Sequence, residues 1–317
     1  MNNGVKLLVN ETLARLREEY EFTANLTRRT CANIVEAGFN RVSLPAAFVL
    51  TQLAVNLQPV TVRGLMYRAQ AAGLYPSTSQ KFYDQTARIV LKLRRAGIVS
   101  YSWIVDSTRR RLKPSSWSGL NDFAEAAARS YRKDFWAQQR DYVEVFTEKD
   151  AMAAILEPVT YEYDVHLNVI RGQVSETFVW NIAEEWNEIS ESKPICAYYL
   201  GDHDPSGLRI EASLVSKLNG FCNKVFFWKR LAVTPKDFAD LDLLGFSVKR
   251  DAAAGSWRPY LDEHGDRCVE VDAISPDEIR RRVREAIEDH IVAEAWAKLK
   301  ITEELERATL KQTLLVT

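Results

Sequence analysis

The chain has little of what builds small secreted folds or membrane spans. Its four cysteines, Cys31, Cys196, Cys222 and Cys268, are widely spaced and no pair forms CxxC. That spacing argues against a structural zinc motif and against a disulfide framework, and it fits reduced, buried thiols. No stretch approaches the roughly 18 consecutive apolar residues of a membrane span, so no membrane partner is expected. The start, MNNGVKLLVNETLARL, lacks a signal-peptide layout, and cytoplasmic localisation follows as the default. There is no internal repeat, no low-complexity segment and no glycine-rich phosphate loop. Histidine is scarce, and no second histidine or cysteine lies at zinc-ligand spacing from His203. Net charge is only -1, which by itself says nothing for a polyanionic partner.

What is present is a globular composition, 46% apolar and 27% charged, over 317 residues. That length allows two domains or one large domain with appendages. Charge is unevenly distributed. From Thr61 to Lys113 eleven basic residues face two acidic ones. Such a block marks a candidate polyanion-binding face.

Hydrophobic periodicity divides the chain into 1–40, an N-terminal helical segment; 41–115; 116–139, a linker and connecting helix; 140–250; and 251–317, a C-terminal extension with a charged helix. Within 41–115, Pro45 opens a helix. Thr61 caps a second, VRGLMYRAQAAG, which Gly73 ends. Ser79 or Thr78 caps a third, which runs to about Arg95 and is closed by Gly97. A short β-rich run, IVSYSWIVD, follows. Three helices and then a strand pair, with a basic third helix, is the order of a winged helix. Lys81, Arg88, Lys92 and Arg95 share one face of that third helix. With Arg68, and with Arg109 and Arg110 beyond the helix, they form the expected DNA-binding set.

Residues 140–250 alternate near-continuous apolar strands with helices: DYVEVFTEKD, DVHLNVIRG, PICAYYLGD and KVFFWKRLAV carry the strands. This pattern predicts an α/β domain, Rossmann-like, with a mostly parallel sheet covered on both faces. Beyond it, Ser275, Pro276 and Glu278 form a helix-start signal before IRRRVREAIEDHIVAEAWAKLK. Ligands of such sheets gather beyond the carboxyl ends of the strands. Glu148 stands at one strand tip, Asp202 and Asp204 at another. Three carboxylates suit Mg2+, with Mn2+ as a possible substitute. Asp204 before Pro205-Ser206-Gly207 is equally good turn chemistry. Lys149 and Arg171 are candidate phosphate contacts.

VFTEKDAMAAIL followed by YYLGDHDPSGLRI resembles a Toprim domain, as found in topoisomerases, primases and related nucleases. Glu148, Asp202 and Asp204 match that family's glutamate and DxD positions. A basic winged helix ahead of a Toprim domain resembles the A subunit of topoisomerase VI and the meiotic protein Spo11. The similarity covers roughly 45–250. Their catalytic tyrosine lies in a motif similar to RDIYY, and TVRGLMYRAQ places Arg63 on the motif arginine and Tyr67 on the second tyrosine. Met66 and Gly64 replace the first tyrosine and the aspartate, and RGQVSE stands where a glycine-rich loop is expected. The resemblance implies magnesium-dependent cleavage of double-stranded DNA, with Tyr67 attacking a phosphate to form a 5′-phosphotyrosyl link. It also implies Arg63 and Glu148 as catalytic partners, a homodimer with composite sites, and a separate ATPase subunit for strand passage. Two other readings stay open. One is a hydrolytic nuclease on the same scaffold, with activated water replacing Tyr67. The other is a non-catalytic DNA-binding module of a phage, plasmid or defence system.

Overall fold

A computed structural model describes residues 3–20, 26–104, 114–189, 191–241, 243, 245–248 and 257–315. Helical regions at both ends flank a small four-stranded parallel sheet. The first is built from α1 (Asn3–Tyr20), α2 (Arg28–Glu36), α3 (Leu44–Leu57), α4 (Val62–Ala71) and α5 (Gln80–Arg95). α3 has apolar residues all round, and ten of its residues are buried. α5 is two-sided: Thr86, Ile89, Val90 and Leu93 point inward, while Lys81, Arg88, Lys92 and Arg95 are exposed. Helix ends follow local chemistry. The Thr61 hydroxyl accepts from the Gly64 N–H at 2.9 Å, and Gly73 and Gly97 take positive φ of 79° and 70° after α4 and α5.

The strand pair expected after α5 is not formed among the described residues. Tyr101–Trp103 makes a 3-10 turn instead, and Ile104 bridges singly, in parallel, to Val60. The Ser100 hydroxyl accepts from the Ser102 N–H, offering the backbone a local alternative to a ladder. Arg109 and Arg110, expected in the DNA-binding set, lie outside the described residues.

α6 (Leu120–Ser130) leads to β1 (Tyr142–Thr147), α7 (Asp150–Glu162), β2 (His166–Val169), α8 (Glu176–Glu188), β3 (Ile195–Leu200), α9 (Pro205–Phe221) and β4 (Phe226–Ala232). All pairs are parallel, in the order β2-β1-β3-β4. Side chains alternate across the sheet. Val143, Val145, Cys196, Tyr198 and Leu200 join the large core shared with α7 and the amino-terminal helices. Phe146, Ile195, Ala197 and Tyr199 join a second core under α8 and α9. The chain moves to opposite sides of β1 on leaving β1 and on forming β3, so the topological switch point lies between β1 and β3.

After β4 come α10 (Asp237–Asp240), α11 (Trp257–His264), the 3-10 turn Val271–Ala273, α12 (Pro276–Glu288) and α13 (Ala293–Leu315). Ser275 caps α12, with its hydroxyl accepting from the Glu278 N–H. The single charged helix expected here is two. It breaks at 289–292, where the Val292 N–H is claimed by the Gln139 side chain at 2.7 Å and His290 by Asp141 and Tyr198. α12 packs on α7 and α13 on α6. No helix among the described residues is long and apolar enough to cross a membrane.

Candidate functional site

The three strand-tip acids flank the switch point. Glu148 follows β1 directly, and its N–H donates to Leu200 O of β3. Its carboxylate accepts from the Tyr199 hydroxyl at 3.2 Å. Gly201 makes that approach possible, because a Cβ there would lie 2.6 Å from the Tyr199 hydroxyl. Beyond it, Asp204 caps α9, with Oδ1 accepting from the N–H groups of Ser206 and Gly207 at 2.9 and 2.7 Å. A Cβ on Gly207 would come within 2.3 Å of Asp202 O. The Asp-Pro-Ser-Gly turn is therefore a close backbone contact as well as a helix start. Arg230 of β4 braces it, with Nη1 donating to the carbonyls of Gly201 and Asp202 at 2.9 and 3.2 Å.

Lys149 is neither on the surface nor free for phosphate. Its Nζ lies 2.8 Å from Asp202 Oδ1, 2.9 Å from Asp272 Oδ2 and 3.2 Å from Glu270 Oε2. Asp202 is further held by the Val271 N–H at 2.8 Å. Asp272 accepts from the Thr61 hydroxyl at 3.0 Å, and Glu270 from Arg63 at 3.0 Å. The start of α4 is thus clasped to the acid cluster within one chain. Glu270 and Asp272 escaped the sequence reading. Their signal was CVEVDAI, two acids two apart in an apolar run, which puts both on one side of extended backbone.

Electrostatics follow from this crowding. Burial, then Asp202, raises the Glu148 carboxyl, with Asp204 adding to the shift against Lys149 and Tyr199. Burial also raises Asp202, against the pull of Lys149. Burial lowers the Lys149 ammonium, but its three carboxylates outweigh that and raise it well above the usual lysine range. Tyr67 faces the same cluster and is only 3% exposed. Burial first, and then Glu270, push its phenol up, with Lys149 and Arg63 opposing.

No protein-family model matches the chain, and no curated protein matches it in sequence.

The remaining predicted residues divide. Lys81, Arg88 and Arg95 stand on the exposed face of α5. Lys92 is also exposed, but its ammonium donates to Gly38 O at 2.6 Å and lies 4.3 Å over the Phe39 ring. Arg68 is half-buried, its Nε has no partner, and burial lowers its pKa. Arg171 pairs with Asp150 at 2.7 Å. His203 does not face solvent. It is buried, bonds Tyr260 at 2.8 Å, and is pushed down to about 4 by burial and by Arg230, so it is neutral near pH 7.

Among the described residues two groups of donors lie close enough to hold a divalent ion, with their ligand atoms within 4.8 Å of one another: Asp141, Cys196 and His290, and Glu144, His166 and Glu185. The acid triad predicted from sequence is not one of them. Lys149 draws Asp202 toward Glu270 and Asp272, while Asp204 turns an oxygen back to cap α9. In the second donor group Glu144 is already satisfied, by Tyr142 at 2.9 Å, Trp186 at 3.0 Å and Asn168 at 2.7 Å.

Proposed function

We propose that this chain cleaves DNA phosphodiester bonds with a divalent metal held by Glu148, Asp202 and Asp204, on a Toprim-like domain preceded by a winged-helix-like one. One observation carries the reading. Acids leave two neighbouring parallel strands at the switch point, and the helix bearing Arg63 and Tyr67 packs against the same cluster. The donors are hard oxygens of the kind Mg2+ takes, and to converge with Glu148 on one ion Asp202 and Asp204 would turn from Lys149 and from the α9 cap. Glu148, Asp202, Asp204, Glu270 and Asp272 outnumber Lys149 and Arg63, the cations paired with their carboxylates, and Asp202 and Asp204 add to the burial that raises the Glu148 carboxyl. Mg2+, or Mn2+ in its place, would supply positive charge to the phosphate oxygens when bound.

The chain's own groups do the rest. Tyr67 is the nucleophile of the topoisomerase VI A-type reading: its phenolic oxygen bonds to phosphorus, the P–O bond to the 3′ oxygen breaks, and the phosphate stays on the protein. A buried, protonated phenol is a poor nucleophile, so Tyr67 must be uncovered by parting α4 from Glu270 and Asp272. Arg63, freed from Glu270, then faces the phosphate. The exposed α5 side chains hold the duplex backbone. A homodimer with composite sites, and an ATPase partner, belong to this reading.

The burial of Tyr67 favours a second reading, in which water attacks at the same acids and no covalent link forms. A plasmid cleavage time course with Mg2+, resolved with and without protease, separates the two. DNA that enters the gel only after protease, and is lost with Tyr67→Phe, supports tyrosine attack. Free nicked product that persists in Tyr67→Phe supports hydrolysis. Duplex binding with no cleavage by the wild-type chain in Mg2+ or Mn2+ rejects both and leaves a DNA-binding module.

A further inference from the structure

At the opposite end of the sheet from the strand-tip acids, three segments bring unlike donors together. Asp141 immediately precedes β1. Cys196 is the second residue of β3, and Val143 of β1 is its register partner. His290 stands in the break between α12 and α13. Their carboxylate oxygen, thiol sulfur and ring nitrogen lie within 4.8 Å of one another. We propose that Asp141, Cys196 and His290 form a zinc site that ties the carboxy-terminal helices to the sheet.

The donor chemistry selects the metal. A thiolate, an imidazole and a carboxylate suit Zn2+, whereas Mg2+ takes hard oxygen ligands and rejects sulfur. Three protein ligands, with Asp141 and His290 half-buried, leave a fourth position for water from the solvent side. A second observation points the same way. The far nitrogen of the His290 ring, Nε2, lies 2.6 Å from the Tyr198 hydroxyl. Zinc-bound histidines are held by such a contact on the nitrogen away from the metal. Cys196 and Tyr198 alternate on one face of β3, so a single strand supplies both a ligand and the group that orients another.

The near nitrogen, Nδ1, lies 2.6 Å from Asp141 Oδ2, a hydrogen-bond separation. Zinc ligands in a tetrahedron stand roughly 3.3 Å apart. Binding therefore replaces the hydrogen between these two atoms and opens the contact by several tenths of an ångström. In a neutral ring the hydrogen moves from Nδ1 to Nε2 and is donated to the Tyr198 oxygen. Cys196 is held as a thiol, its pKa pushed up to about 11 by burial and by Asp141. It gives its proton to solvent as the Zn–S bond forms, so one proton is released per ion bound. This site does not depend on the cleavage reading, which involves the other end of the sheet.

The test uses the full chain, stripped with chelator and titrated with Co2+ as a spectroscopic substitute. One equivalent should produce a thiolate-to-cobalt charge-transfer band with strong visible absorption. Zn2+ should displace it, and excess Mg2+ should not. Cys196→Ala should abolish the band, and Tyr198→Phe should weaken binding roughly 10- to 100-fold. Stoichiometric Zn2+ should raise the Tm of the wild-type chain, and should not raise that of folded His290→Asn above its own metal-free value. A folded wild-type chain that gives no band overturns the proposal. So does a band that survives Cys196→Ala, because it would belong to Cys31, Cys222 or Cys268. A Zn2+ shift of equal size in His290→Asn overturns it as well.

Discussion

Lys149 shows how one side chain can hold a site together. Its ammonium is shared by Asp202, Glu270 and Asp272, all of them buried or half-buried. Removing one partner of a buried ion cluster leaves uncompensated charge. Lys149→Met is therefore expected to lower stability by roughly 3 kcal/mol in urea unfolding. Gly207 is constrained by space alone. Its φ is ordinary, but a Cβ would collide with the Asp202 carbonyl. Gly207→Ala should cost about 1–3 kcal/mol, as overpacking does, and should displace the Asp202 loop. Urea denaturation of that variant gives the magnitude. Asp237 sets a pH dependence. Burial alone would raise its carboxyl, but the Arg282 guanidinium at 2.7 Å and the Thr234 N–H hold it below the usual range. A depressed carboxyl contributes stability above its unfolded pKa of about 3.9 and loses it as pH falls through the folded value. The stability gap between the wild-type chain and Asp237→Asn should be full at pH 6 and shrink below about pH 4. A gap independent of pH would remove the Asp237–Arg282 pair from the acid limb.

Between elements, the decisive contact is α4 against the Glu270–Asp272 segment. Thr61 does two things there: it caps α4 and it donates to Asp272. Thr61→Val keeps the volume and removes both bonds. It should cost about 1–2 kcal/mol and speed amide exchange in the first turn of α4. Arg63→Gln should loosen the same contact through Glu270. In the tyrosine reading, opening this contact is the step that would expose Tyr67. Thr61→Val should therefore raise a tyrosine-dependent cleavage rate if docking limits it and leave a water-based rate unchanged, whereas Arg63→Gln, which also removes the group that faces the phosphate, should lower the tyrosine-dependent rate.

Across the whole molecule, charge is segregated. The acid site gathers Glu148, Asp202, Asp204, Glu270 and Asp272, and the exposed face of α5 gathers Lys81, Arg88 and Arg95. On the proposed reading this face holds DNA through counterion release, so affinity should fall with salt. Replacing Lys81, Arg88 and Arg95 with Gln should weaken duplex binding across all sequences. It should also flatten the slope of log K against log salt by about 0.9 for each phosphate that is no longer neutralised. Fluorescence anisotropy over a salt series reads both. An unchanged slope would place the DNA elsewhere.

Local chemistry was legible in the chain itself. Thr61 and Ser275 announce helices because each side chain can satisfy an N–H a few residues on. The apolar runs of β1 and β3 announce a buried parallel sheet because both faces are covered. Glu148, Asp202 and Asp204 could be placed at strand tips on the same grounds. Several features were decided only by the tertiary structure. The pairing of Lys149 with Asp272 joins residues 123 positions apart. Asp141, Cys196 and His290 lie on three separate segments and carry no spacing motif, so the cysteine pattern argued against a metal that the fold has the donors to hold. The burial of Tyr67 depends on a segment two hundred residues away. Capping and periodicity act over a few residues and are written locally. Ion pairing and burial depend on which segments meet in space, and that is settled only when the whole chain packs.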